Sequence, residues 1–136
     1  MSRNKKEEPI KCIAYLSVKE ELRNVERAEN RQFRYLREYA EAHHIHISQV
    51  IRRNGMGHAD VNAQWLSMIA MIRQGIVDGI LIAGTEAVST SVPDSFYKIG
   101  QVCEAGGIVV TVDEGRLGLP IKRTIEGRTV LVNERF

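Results

Sequence analysis

Gly75-Ile76-Val77-Asp78-Gly79-Ile80-Leu81-Ile82-Ala83-Gly84 is the stretch on which the fold turns. Residues 76–83 are nearly all aliphatic and glycine closes the run at both ends, as in a short central strand buried on both faces. Such a strand needs helices above and below it. Just upstream, Val61, Trp65, Met68, Ile69 and Ile72 recur at helical spacing, with Asp60 as the expected N-cap and Gly75 suited to the C′ position. Downstream, residues 85–91 form a Ser/Thr-rich loop. A helix is then expected to start near Pro93 and Asp94, bury Phe96, Ile99 and Cys103, and stop at Gly106-Gly107.

Further out, residues 10–18 read as a buried strand, and Phe33, Leu36, Tyr39 and Ala40 place an apolar stripe on a helix over 25–42. Residues 45–51 alternate as a second strand, with Ile45, Ile47 and Gln49 on one face and His46 and Val50 on the other. Residues 52–58 are a glycine-containing loop and 108–112 a fourth strand. Strands alternating with helices imply an α/β fold: three layers, a mainly parallel sheet of four to five strands, helices on both faces and right-handed crossovers. Residues 121–125 and 129–132 flank Glu126-Gly127 and predict an antiparallel hairpin at a C-terminal edge. The expected organisation is a charged flexible leader over 1–9, one domain over 10–117 and a C-terminal extension over 118–136.

Composition agrees with one folded domain: 136 residues, of which 43% are hydrophobic and 26% charged. No run approaches the roughly 18 apolar residues of a membrane span and the start lacks a signal-peptide core, so a cytoplasmic location without membrane contact is expected. Nineteen Lys+Arg against 17 Asp+Glu leave a net charge of +2, low for an autonomous nucleic-acid binder. The dense charges over 20–41, with Arg34 and Arg37 four residues before Glu38 and Glu41, read as a solvated helix face. Cys12 and Cys103 sit in apolar runs and read as reduced core residues. His43, His44 and His46 straddle a helix end and a strand start, which suits cations at a helix C-terminus better than a metal site. Trp65 falls on the core stripe, and Gly55-Met56-Gly57 lacks the setting of a dinucleotide loop. No metal or cofactor is expected.

In open α/β sheets, ligands gather at the carboxyl ends of the strands. Four segments qualify: 17–21, 52–60, 84–91 and 113–116. Ser17 and Lys19 share one side of the first; Glu86 and Ser89 stand in the third. A hydroxyl beside an amine permits Ser-Lys chemistry only where the lysine is desolvated, and nothing in the sequence shows that. Thr85, Ser89, Thr90 and Ser91, with the N-terminus of the third helix, can offer neutral donors to a small anion.

Taken in order, these segments resemble the catalytic domain of resolvase/invertase-type serine recombinases. Tyr15-Leu16-Ser17-Val18-Lys19 matches the family's Tyr-x-Arg-Val-Ser, and Leu36-Arg37-Glu38-Tyr39-Ala40-Glu41-Ala42 its L-R-x-Y-A-E-x stretch. Asn54-Gly55-Met56-Gly57 falls at the D-G-x-S-G loop. Residues 74–82 resemble its G-x-V-D-x-V-V-V strand, and residues 107–114 its G-V-x-L-V-S-L-D-E. The likeness spans 10–117 and implies a resolvase-like fold and phosphoryl transfer, in which a serine attacks a DNA phosphate held by arginines. The departures fall on the chemistry. Lys19 stands at the nucleophile and Ser17 at the arginine before it, while Asn62 replaces the arginine before the second helix. In the loop matching K-L-D-R-L-S-R, Glu86 replaces the aspartate, and Ala87 and Thr90 replace the arginines.

The resemblance therefore implies a degenerate pocket at Tyr15, Ser17, Lys19, Asn62, Glu86 and Ser89 with no confident catalytic residue, and a recombination- or mobile-element-associated domain acting through protein contacts. Its expected partners are further copies or an active recombinase. DNA enters by resemblance alone, since residues 118–136 show neither a long dimerisation helix nor a DNA-binding module. The alternatives are a small-anion or nucleotide binder, and an enzyme with a rearranged Ser17/Lys19 site. The observation that would overturn the degenerate reading is Arg52, Arg53 or Arg116 swung in to converge on Ser17 around a bound sulfate.

Overall fold

Ile10–Leu16 (β1) and Ile45–Arg52 (β2) pair in parallel, joined by Leu22–Ala42 (α1). His58–Arg73 (α2) leads into Gly79–Ile82 (β3), and Val92–Glu104 (α3) into Ile108–Thr111 (β4). The computed structural model describes residues 9–18, 22–117, 120–125 and 128–133. The main sheet runs β2-β1-β3-β4-β5, where β5, Gly115–Leu117, is antiparallel to β4. Four parallel strands and three helices thus form the expected three-layer α/β fold.

Alternation along β1 divides the core. Cys12, Ala14 and Leu16 pack with Leu36 and Ala40 of α1 on one face, and Ile13 and Tyr15 with Trp65, Met68, Ile99 and Val102 of α2 and α3 on the other. Trp65 is buried, its indole N–H donating to the Lys98 carbonyl at 3.0 Å, so it is a core residue as its spacing predicts. Cys12 is buried and Cys103 half-buried, neither in a disulfide. Among the described residues no helix is long and apolar enough to cross a membrane.

Several boundaries differ from expectation for local reasons. Helix α1 begins at Leu22, before Val25. Helix α2 is capped by Gly57 instead of Asp60: the Gly57 carbonyl accepts from the Asp60 and Val61 N–H groups at 3.1 and 3.0 Å, which opens the helix at His58. Asp60 then lies in the first turn, where the helix dipole favours a carboxylate. Gly75, at φ 76°, supplies the expected left-handed C′ residue, its N–H donating to Ile72 and that of Ile76 to Met71, both at 3.0 Å. That closure uses Ile76, and β3 begins only at Gly79, shorter than the 76–83 run. In β2 the register passes from Cys12↔Ile47 to Ile13↔Gln49, so a bulge at Ser48 ends the simple alternation of Ile45, Ile47 and Gln49. Phe96 is 51% exposed and not buried as expected; α3 turns Ser95, Lys98, Ile99 and Val102 inward. The hairpin forms from Pro120–Ile125 (β6) and Arg128–Asn133 (β7) as a two-stranded sheet of its own, while β5 provides the antiparallel edge of the main sheet. Residues 1–8 of the leader, Lys19 and the Glu126-Gly127 turn lie outside the described residues.

Candidate functional site

The ends of β1 and β2 carry a hydrogen-bonded network. The phenol of Tyr15, buried at the end of β1, donates to Gln64 Oε1 at 2.5 Å, and Gln64 Nε2 donates to the Arg52 carbonyl at 2.9 Å. Burial pushes the Tyr15 pKa up from 10.0 to about 12; Arg53 opposes this shift and Glu29 adds to it. Ser17, also buried, donates its N–H to Gln32 Oε1 at 2.8 Å and accepts at its carbonyl from Gln32 Nε2 at 3.2 Å. The Arg53 N–H donates to the Leu16 carbonyl at 2.8 Å, carrying the β1–β2 pairing into the loop.

This pairing brings the Arg53 guanidinium to Ser17, with Nη1 3.4 Å from Oγ and Nε donating to the Met56 carbonyl at 2.6 Å. One guanidinium thus lies beside Ser17 while bonded to the Met56 carbonyl. Arg52 turns elsewhere, to Asn30 Oδ1 at 2.9 Å and to the Glu29 carboxylate at 3.6 Å. The Arg116 side chain lies outside the described residues. Glu29 is fully buried: its Oε2 accepts from the Asn54 N–H at 2.8 Å, while Oε1 has no hydrogen-bond partner among the described residues. Asn54 takes a left-handed conformation at φ 60°, which turns the loop back over this carboxylate.

At the ends of β3 and β4 the polar groups are acidic. Glu86 lies exposed in the 3-10 turn Thr85–Ala87, whose Ala87 packs into the core. The Glu86 and Asp113 carboxylates both lean over Gly84, so a Cβ there would lie 2.7 Å from Glu86 Oε1 and 2.8 Å from Asp113 Oδ2. The Tyr35 hydroxyl donates to Asp113 Oδ1 at 3.1 Å. The neutral donors proposed for an anion are engaged at the start of α3. Ser91 Oγ accepts from the Asp94 N–H, and Ser89 Oγ from the Ser91 N–H, both at 3.1 Å. The hydrogen bond from Lys98, at 2.6 Å, and then that from Ser89 hold the Asp94 carboxyl below its ordinary pKa. Asp94 thus puts the chain's own carboxylate at the helix N-terminus, where a bound anion would sit. Thr85 is half-buried and Thr90 exposed.

The structure therefore gathers Tyr15 and Ser17 into one network, which also contains Gln32, Gln64, Glu29, Arg52 and Arg53. It places Glu86 in an acidic pair with Asp113, Ser89 in the α3 cap and Asn62 on the exposed face of α2. A guanidinium stays charged at any accessible pH, so Arg53 can donate to Ser17 but cannot take its proton. No group of three His, Cys, Asp or Glu among the described residues could hold a metal ion. Sequence reading missed Glu29 and Gln32, and named Arg53 only as one of three arginines that could approach Ser17. A signal existed for the first two: positions 25, 29, 32, 36 and 40 continue the α1 stripe, and a carboxylate and an amide stand in it. Arg53 gives no such signal, because the Asn54 turn positions it.

No family model and no curated sequence matches the chain. Among solved structures, it is similar to the N-terminal catalytic domain of TP901-1 integrase at 20% identity, covering 76% of this chain and 77% of that one, with a TM-score of 0.63. It is likewise similar to the C-terminal catalytic domain of ISC1926 TnpA, an IS607-like serine recombinase, at 22% identity, 76% and 69% coverage and a TM-score of 0.61. The fold is that of a serine recombinase catalytic domain.

Proposed function

We propose that this chain is a recombinase-type domain belonging to a DNA-recombination or mobile-element system, that it does not cleave strands, and that it acts by contacting protein partners. The supporting observation is that Ala87, packed into the core, and Thr90, exposed, stand at the two loop positions where the resemblance calls for arginines, beside the carboxylates of Glu86 and Asp113 that the family's pattern also carries. Phosphoryl transfer needs cations fixed around a developing anion, and loss of a single oxyanion donor costs about 10²–10³ in rate. Here Ala87 and Thr90 supply no such cation beside the carboxylates of Glu86 and Asp113. Arg52 is engaged by Glu29 and Asn30, and Arg53 by the Met56 carbonyl. The test is incubation with supercoiled plasmid followed by denaturant trapping. The substrate is expected to stay supercoiled with no covalent protein–DNA species; an adduct that disappears in Ser17→Ala overturns the proposal.

One observation favours a second reading. Arg53 Nη1 lies 3.4 Å from Ser17 Oγ, and a guanidinium beside a hydroxyl can hold a small anion. That reading predicts saturable thermal stabilisation by inorganic phosphate, lost in Arg53→Ala; no stabilisation at millimolar phosphate removes it.

A further inference from the structure

Among the described helices only α1 packs on its face of the sheet, through Leu36 and Ala40. Its outward face carries charge in blocks. Arg23, Arg27, Arg31, Arg34 and Arg37 follow at steps of four, four, three and three, which sets them in one stripe about 21 Å long. All five are exposed. Glu38 and Glu41 close the stripe at its C-terminal end, and Glu26 stands on its flank. Arg27, Arg31 and Arg34 enter no ion pair among the described residues. Like charges four residues apart destabilise a helix slightly, so the stripe works against the fold and opposite charge from outside would relieve it.

A second feature adjoins the stripe. Between α1 and β2 lies a groove of about 430 Å³, lined by Phe33, Arg37 and Ala40 of α1 and by Ile45, Ile47 and Val50 of β2. Strand β2 is the outermost of the sheet, which puts the groove at the sheet edge, and Val50 is 40% exposed. Arg37 belongs to both features, since it lines the groove and its guanidinium lies 5.6 Å over the Phe33 ring. Arginine and aromatic residues together are the enriched composition of protein interfaces.

We propose that this surface docks an acidic segment of another protein that carries an apolar cluster at one end. The cluster fills the groove, and the carboxylates run along Arg34, Arg31 and Arg27, where a guanidinium fork matches a carboxylate in two hydrogen bonds. A nucleic-acid backbone fits less well: it has no apolar group for the groove, and past Arg37 it meets Glu38 and Glu41. The proposal rests on the reading of a domain that acts through protein contacts and adds where one contact is made and with what chemistry. It uses none of the strand-end loops, so the plasmid assay and the binding assay fail separately.

Fluorescence anisotropy on the full chain tests it, using labelled peptides that join about ten glutamates, enough to span the stripe, to Leu-Ala-Leu-Phe at either end. At about 0.1 M salt one of the two is expected to bind saturably with a Kd below about 100 µM. Replacing the apolar block by serines should weaken it at least about fivefold, and replacing the glutamates by lysines should abolish binding. The triple exchange Arg27→Glu, Arg31→Glu and Arg34→Glu should weaken it at least about tenfold and Arg34→Gln alone about threefold, with circular dichroism confirming that both are folded. Absence of saturable binding, indifference to the arginine variants, or equal affinity for the serine-block peptide each overturns the proposal. Duplex DNA of about 20 base pairs bound more tightly than the peptide, and lost in the triple exchange, overturns it in favour of nucleic acid.

Discussion

At the ends of β1 and β2 the polar groups gather around the buried Tyr15, Ser17 and Glu29 and are bonded to one another, whereas at the ends of β3 and β4 they lie on the surface with two carboxylates side by side. The first region holds cations and gives them internal partners: Glu29 for Arg52, and the Met56 carbonyl for Arg53. The second keeps the carboxylates of Glu86 and Asp113 and has Ala87 and Thr90 where the resemblance calls for arginines. One set of strand ends can thus lose affinity for an anion in two ways, by satisfying its positive groups or by lacking them. The two have different stability signatures: the buried network contributes to the fold, and the exposed acids contribute almost nothing.

The largest expected effect is in the buried network. Glu29→Ala leaves the Asn54 N–H without its acceptor and takes from Arg52 its ion-pair partner, though not its bond to Asn30, and should cost about 2 kcal/mol in urea unfolding. Glu29→Gln keeps an oxygen for Asn54 and should cost about half as much. A loss below about 1 kcal/mol in the alanine variant would show that the carboxylate does not organise the loop.

Tyr15→Phe removes one hydrogen bond, to Gln64, and should cost about 1 kcal/mol at neutral pH. Its pH signature is more specific. The fold favours the neutral phenol, whose pKa burial raises from 10.0 to about 12. The associated stability is therefore complete below pH 10 and is lost as the pH rises through about 12. Unfolding curves between these limits should fall more steeply for wild type than for Tyr15→Phe; equal slopes would place the phenol outside the buried network.

The smallest effect belongs to the acidic end. In Gly84→Ala the new methyl meets only the tips of the Glu86 and Asp113 side chains, and at φ −160° the backbone is extended, which any residue adopts. Those side chains can swing into solvent, so stability should change by less than about 0.5 kcal/mol. A loss above about 2 kcal/mol would mean that the carboxylates are held as firmly as Glu29 and would erase the contrast.

Much of this architecture is legible in the amino-acid order, because burial on both faces of β3 and the apolar stripe of α2 leave direct periodic signals. Legibility stops where a local bond competes with the pattern. Ile76 looks like strand but completes the closure of α2. Phe96 looks like core, but the inward position on α3 goes to Lys98, whose ammonium donates to the Val88 carbonyl and to Asp94. At the site, Tyr15 and Ser17 are legible as strand-end residues. The partnership of Ser17 with Arg53 is not, since it depends on the turn at Asn54 and on the buried carboxylate of Glu29 beneath it.

The central claim is that these strand ends no longer hold a phosphate. It is tested most directly by titrating the ¹⁵N-labelled chain with inorganic phosphate and following the amides of Ser17, Arg53, Asn54, Gly84 and Ser89. At constant pH and ionic strength the amides should show no saturable movement up to about 50 mM, well above the micromolar-to-millimolar range of functional ligand sites. Concerted, saturable shifts of Ser17 and Arg53, abolished in Arg53→Ala, would show that the guanidinium leaves the Met56 carbonyl for an anion and would contradict the account.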